Sequence, residues 1–175
     1  MDHAYQPELW RDLYVMLGTS AAALIGLLFV VTSLHLDEIM NHPVFRIRAY
    51  NITLHLLVTL IEAALILTPQ PMTVLGAELL AINLLGVQLP LRFVYKYFYR
   101  DRKAGRSGSY SVYRAATNIS AYLLGVAAGI CLIAQSTWGM YLITASFILF
   151  IASAIFNAWT IMLGVGQSGK AKRAK

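Results

Sequence analysis

Five apolar stretches divide this chain, and each is long enough to cross a lipid bilayer as an α-helix. The first, residues 13–36, has 24 residues without a formal charge. At about 1.5 Å of rise per residue, it covers a hydrocarbon core of about 30 Å. The other four are residues 52–68, 72–95, 115–135 and 140–163. Because a lipid-exposed backbone must satisfy its hydrogen bonds internally, the pattern predicts an all-α fold, a polytopic membrane bundle of five helices.

The composition points to the same class. Hydrophobic residues make up 58% of the 175 residues and charged residues only 13%, whereas soluble domains carry about 25% charged residues. We expect one domain, residues 1–163, followed by a basic, disordered cytoplasmic tail at 164–175. The first stretch follows an acidic segment and is too long for the core of a signal peptide, so we interpret it as an uncleaved span.

The distribution of basic residues predicts the orientation. Of the 14 lysines and arginines, only Arg11 precedes the first span. Placing the N-terminus outside puts the other basic residues on the cytoplasmic side, as cell membranes favour, so the prediction is N-out/C-in. The cytoplasmic face would then contact anionic headgroups of the inner (plasma) membrane. This placement also explains the run of basic and aromatic residues at 92–103, so we expect no nucleic acid partner.

Two glutamates lie inside the apolar stretches. Glu62 lies seven residues before Pro69, and Glu78 lies seven residues after Pro71. The short turn at 68–71 predicts an antiparallel hairpin of spans two and three, with both carboxyls roughly 10 Å from the turn. An ionisable group costs about 2.5 to 3.5 kcal/mol in the membrane, so each is a candidate functional group. We expect the pair to lie close together and at least one carboxyl to be protonated or cation-bound.

Other polar side chains in these two spans extend the candidate ion- or proton-binding site. His55 shares a helical face with Glu62, and Gln88 shares a broad face with Glu78. Asn83 turns away from the face of Glu78, yet it is a further polar group within the same span. The candidate set is therefore Glu62, Glu78, His55, Asn83 and Gln88.

Small residues at a spacing of four occur in two spans. They are Gly18, Ala22 and Gly26 in the first, and Gly125 and Gly129 in the fourth. Small residues at this spacing allow two helices to approach closely. The partner helix belongs either to the same chain or to a second copy, and we expect a homo-oligomer.

One group of possible metal ligands follows the first span. His35, Glu38 and His42 occur at i, i+3 and i+7, which is one face of a helix. These side chains are ones that a transition metal can use. The alternative is that they are solvated at the membrane surface, because Pro43 follows at once and no second ligand cluster occurs in the sequence.

The first span also carries a resemblance to known proteins. The residues that carry it include Trp10, Tyr14, Gly18, the run 20–24 and further positions up to 34. Together they resemble the opening helix of a group of small, uncharacterised bacterial multi-pass membrane proteins. Members are often labelled as modulators of a membrane protease. The resemblance implies a bacterial inner-membrane setting, and it implies no mechanism.

The sequence lacks the motifs of several functional classes. It has no Walker loop, no dinucleotide-binding fingerprint and no His-Glu-x-x-His zinc motif. We therefore expect no enzyme and no cofactor, although an intramembrane enzyme is a third possibility. The two glutamates favour a homo-oligomeric channel or carrier for a small cation or protons. The alternative is a non-catalytic membrane scaffold or a regulatory subunit of another membrane protein.

Overall fold

The computed structural model describes residues 7–41, 43–96 and 109–173, which are helical apart from short turns. The helices are α1 (Pro7–Leu34), α2 (Leu36–Asn41), α3 (Pro43–Leu67), α4 (Met72–Lys96), α5 (Ser109–Ile133) and α6 (Trp138–Arg173). All except α2 contain a segment long and apolar enough to cross a membrane. The predicted all-α fold with five spans is confirmed, and the chain is a multi-pass membrane protein.

Several helices extend beyond the predicted spans. Between the first two predicted spans, residues 37–41 and 43–51 are helical, because they belong to α2 and to the first turns of α3. Pro43 opens α3, where its fixed φ and missing N–H suit the first helical position. The expectation of a disordered tail after residue 163 is wrong for the described part, since α6 continues to Arg173. Most of the connection between the third and fourth predicted spans lies outside the described residues, at 97–108.

The helices pack in an order that differs from their order in the sequence. Helix α4 packs mainly on α5, α5 on α6, α6 on α3, and α3 on α1. Helices α3 and α4 follow each other across the predicted short turn, but they pack loosely together, since α3 contacts α6 and α4 contacts α5 far more. The two helices are nevertheless joined by only four residues, Thr68 to Pro71.

Buried side chains form three apolar clusters between these helices. The cluster nearest the two short turns combines residues of α1, α3, α4, α5 and α6, including Leu75, Leu132 and Phe147. A second cluster joins α1, α3 and α6 towards the other end of the bundle. Between them, Val58, Val87, Ala121, Tyr122 and Phe150 bring α3, α4, α5 and α6 together. This middle cluster lies beside the buried polar residues of the bundle.

Candidate functional site

Glu62 lies at the centre of the bundle, and its side chain is completely buried (0% exposed). Its Oε1 accepts a hydrogen bond of 2.6 Å from Nδ2 of Asn83 on α4. The same Nδ2 donates to the carbonyl oxygen of Leu79, one turn earlier, at 2.8 Å. This second bond fixes the direction of the Asn83 side chain. A carboxyl of α3 is thus joined to α4, although the two helices pack little against each other elsewhere.

Two glycines make room for the polar side chains between α4 and α5. A Cβ at Gly125 would overlap the side-chain amide of Asn83, and a Cβ at Gly86 would overlap the ring of Tyr122. Asn83 and Gly86 lie almost one turn apart on α4, and Tyr122 and Gly125 lie almost one turn apart on α5. Asn83 of α4 therefore packs against Gly125 of α5, and Tyr122 of α5 packs against Gly86 of α4. This exchange places both Asn83 and Tyr122 inside the bundle.

His55 lies on the face of α3 that carries Glu62, about two turns away. Its ring is 97% buried and packs against aromatic rings of two other helices. The ring centroids are 5.2 Å from Phe150 and 6.1 Å from Tyr122. Between His55 and Glu62, the hydroxyl of Thr59 donates to the carbonyl oxygen of His55 at 2.9 Å. The face of α3 thus presents an imidazole, a hydroxyl and a carboxyl to the interior.

The buried polar atoms around Glu62 outnumber the hydrogen bonds that they form. Oε2 of Glu62, Oδ1 of Asn83 and the hydroxyl of Tyr122 are buried without a hydrogen-bond partner among the described residues. An unsatisfied buried polar group costs about 1 to 3 kcal/mol. Because Oε1 already accepts from Asn83, Oε2 is the oxygen at which Glu62 can hold a proton or contact a cation. A bound proton or cation would also give a partner to some of these buried polar atoms.

The polar residues of α6 form a different kind of network. The hydroxyl of Ser146 donates to the carbonyl oxygen of Ala121, and that of Ser153 donates to Oδ1 of Asn118, both at 2.8 Å. Both bonds join α6 to α5. Their partners are neutral groups of the same two helices, so these bonds hold the bundle together and require no ligand.

Glu78 occupies a separate position, near the turn between α3 and α4. It is half-buried, and its Oε2 accepts a hydrogen bond of 2.9 Å from Gln70 in that turn. Gln70 also donates to the carbonyl oxygen of Leu65, near the end of α3. Asn83 is five positions after Glu78, which corresponds to about 140° around the helix. Glu62 therefore bonds to Asn83 and Glu78 bonds to Gln70, so the two carboxyls have different partners. The side chain of Gln88 is exposed.

The small residues singled out in the sequence lie in two settings. A Cβ at Gly18 would come within 3.1 Å of the side chain of Ala63 on α3. Ala22 and Gly26 are exposed on α1, and a Cβ at Gly26 would meet nothing within 4 Å. Gly125 and Gly129 are buried against α4 of the same chain. The glycine face of α5 is therefore occupied within the chain, and part of the face of α1 is exposed.

The possible metal ligands after the first span are described only in part. His35 is exposed between α1 and α2, whereas His42 and the side chain of Glu38 lie outside the described residues. Within the described part of the chain, no three residues of the types His, Cys, Asp and Glu lie close enough to hold a metal ion.

Sequence reasoning missed Gly76 and Gly86 as partners of this site. Gly76 lies against Gly129, and a Cβ on either would come within 2.8 Å of the carbonyl oxygen of the other. The signal was present in the sequence, because α4 contains two glycines in an apolar stretch opposite a Gly-x-x-x-Gly pair of α5.

Comparison with known proteins adds no relative: no family model, curated protein or solved structure matches this chain.

Proposed function

We propose that this chain is a membrane carrier or channel for protons or a small cation, and not an enzyme, with Glu62 as its binding group. The observation that supports this most is the set of orphaned polar atoms around the buried carboxyl. A carboxyl inside a membrane bundle is a candidate functional group by default. Oε2 of Glu62 has no hydrogen-bond partner among the described residues, whereas the hydroxyls of Ser146 and Ser153 on α6 each have one.

Protons fit this site better than a metal cation does. Metal cations such as Ca²⁺ require about six to eight oxygen ligands. Beside Glu62, the polar side-chain oxygens among the described residues are those of Asn83, Tyr122 and Thr59, and Glu78 accepts from Gln70 instead. A proton requires only one acceptor, which Oε2 provides. Glu62 is therefore the primary site of the proposed transport, and Glu78 with Gln70 is a polar group nearer the membrane surface.

We also propose that the protein forms a homo-oligomer in a bacterial inner membrane. Ala22 and Gly26 remain exposed on α1, so a second copy could pack there. Glu62, however, lies within the bundle of one chain. The binding group thus belongs to each subunit separately, and a central pore between subunits is not needed.

Ion flux measured in liposomes tests the proposal. We expect purified protein in vesicles that contain a pH-sensitive dye to acidify the interior faster than empty vesicles do, under an inside-negative potential set by potassium and valinomycin. Sodium gradients without a pH gradient provide the second arm, since a sodium carrier would respond to them. Rates equal to those of empty vesicles in both arms would contradict the proposal.

We further propose the orientation N-out/C-in, on the distribution of basic residues. A reporter enzyme that is active only in the cytoplasm is expected to work when it is fused after Lys175, because 13 of the 14 basic residues follow Arg11. The same reporter fused before Met1 should be inactive. Activity at the N-terminus with silence at the C-terminus would invert the topology.

The competing function is a non-catalytic scaffold or regulatory subunit of another membrane protein. The observation in its favour is that the interhelical bonds of Ser146 and Ser153, together with that of Asn83, hold the bundle together. Such bonds contribute about 0.6 kcal/mol on average in membrane proteins. The scaffold predicts no flux above that of empty vesicles, so the same liposome measurement separates the two functions.

A further inference from the structure

An open groove of about 300 Å³ lies between α1, α3 and α6, away from Glu62. Its walls include Leu24, Ile52 and Trp159, and Ala49, Ala154 and Ala158 make it wide because their side chains are small. Apart from Thr32 and Trp159, the lining side chains are nonpolar. On α6 the lining extends from Ala154 to Met162, or about 12 Å along the helix axis. That depth lies within the hydrocarbon of one leaflet, about 15 Å, or half of the core.

Two arginines, Arg46 and Arg48, lie in the first turns of α3, at one end of the groove. Arg48 immediately precedes the lining residue Ala49, and it lies one turn before Ile52 on the same face of α3. Its side chain is half-buried, whereas Arg46 is exposed. Trp159 of the groove wall is 57% exposed. Arginine together with tryptophan at the end of an apolar stretch is typical of the headgroup region.

We propose that this groove binds one acyl chain of an anionic phospholipid, whose phosphate is held by Arg48 and Arg46. The nonpolar walls suit the hydrocarbon chain, and guanidinium groups bind phosphate through parallel hydrogen bonds. Asp37 is exposed on the neighbouring helix α2. Its negative charge repels the phosphate. The two arginines therefore produce the preference for an anionic lipid, and Asp37 reduces that preference. The site is independent of Glu62 and of any transport.

Quenching of Trp159 fluorescence tests this site directly. The variant Trp10→Phe with Trp138→Phe leaves Trp159 as the only tryptophan of the chain. It is reconstituted in vesicles that contain increasing fractions of brominated phosphatidylglycerol or brominated phosphatidylcholine. We expect the anionic lipid to compete for positions next to Trp159 about fivefold better, because two arginines and Asp37 together leave one net positive charge to attract the headgroup. Equal quenching by the two lipids would overturn the proposal.

Two variants in the same background separate the charge from the groove. Arg48→Gln should remove most of the anionic preference, whereas Arg92→Gln, an exposed arginine of α4, should leave it unchanged. Ala158→Leu should reduce quenching by both lipids, because it fills the groove from an exposed position. A preference that survives Arg48→Gln would overturn the phosphate assignment. Weak quenching by both lipids, together with a detergent-extracted mass of two chains, would place a second copy in the groove and overturn the lipid assignment.

Discussion

Protein with Glu62→Gln is expected to move protons in liposomes at roughly a tenth of the wild-type rate or less, because the substitution removes the group that binds them. An amide has nearly the shape of the carboxyl, and its oxygen can still accept from Nδ2 of Asn83, as Oε1 does at 2.6 Å. The fold should therefore persist. The rate is measured as dye acidification at equal protein density and equal membrane potential.

The matched control for this variant is Glu78→Gln. Glu78 is half-buried and accepts a hydrogen bond from Gln70. This variant therefore also replaces one hydrogen-bonded intramembrane carboxyl with an amide. It should keep most of the flux if Glu62 is the primary site. A Glu62→Gln protein that retains the wild-type rate would assign Glu62 a structural role. Glu62→Leu would then still lower stability, by about 1 kcal/mol, because Asn83 loses its acceptor.

Gly129→Val is expected to lower the free energy of unfolding by about 3 kcal/mol, at the upper end of the usual cost of overpacking. A Cβ at this position would lie 2.8 Å from the carbonyl oxygen of Gly76 and 2.9 Å from the backbone nitrogen of Leu80. These are main-chain atoms, so they cannot rotate away as the end of a side chain can. Helix α4 would have to move off α5, which would also displace Asn83 from Gly125.

Gly26→Val provides the matched control, since it makes the same change in another apolar span. A Cβ at Gly26 would meet nothing within 4 Å, so the stability change should stay within about 0.5 kcal/mol. Both proteins are unfolded in mixed micelles with increasing dodecyl sulfate and followed by circular dichroism. Similar midpoints for the two variants would mean that the contact between α4 and α5 is not as close as described. A loss confined to Gly26→Val would place a subunit contact on α1.

The fold was predictable from the sequence because the bilayer imposes a simple requirement. Each span needs enough apolar residues to cross the hydrocarbon, and the five spans found in the structure overlap the five predicted ones. The helix ends were less predictable. A helix can continue into polar surroundings at little cost, as α3 does from Pro43 and α6 does to Arg173. Hydropathy marks the apolar part of a helix and carries little information about where its polar ends stop.

The candidate site was predictable as a residue and less so as a geometry. Glu62 stands out because it is ionisable within an apolar stretch. Its partner depends on which helices pack together, and the short turn at Thr68 suggested that α4 would lie along α3. The glycine contacts hold α4 against α5 instead, and Asn83 reaches Glu62 from there. Which helices pack together depends on side-chain shape, which the period of hydrophobic residues does not encode.

The packing of α3 on α6 has a consequence for synthesis at the ribosome. Helix α3 ends at Leu67 and α6 begins at Trp138, so 70 residues separate the helix that carries Glu62 from one of its main neighbours. At about 5 to 20 residues per second, α3 waits roughly 4 to 14 s in the insertion machinery or the lipid before α6 begins to emerge. Asn83 arrives much sooner, 21 residues after Glu62. The amide is therefore the first group of a later helix able to shield the carboxyl during insertion, before the bundle closes.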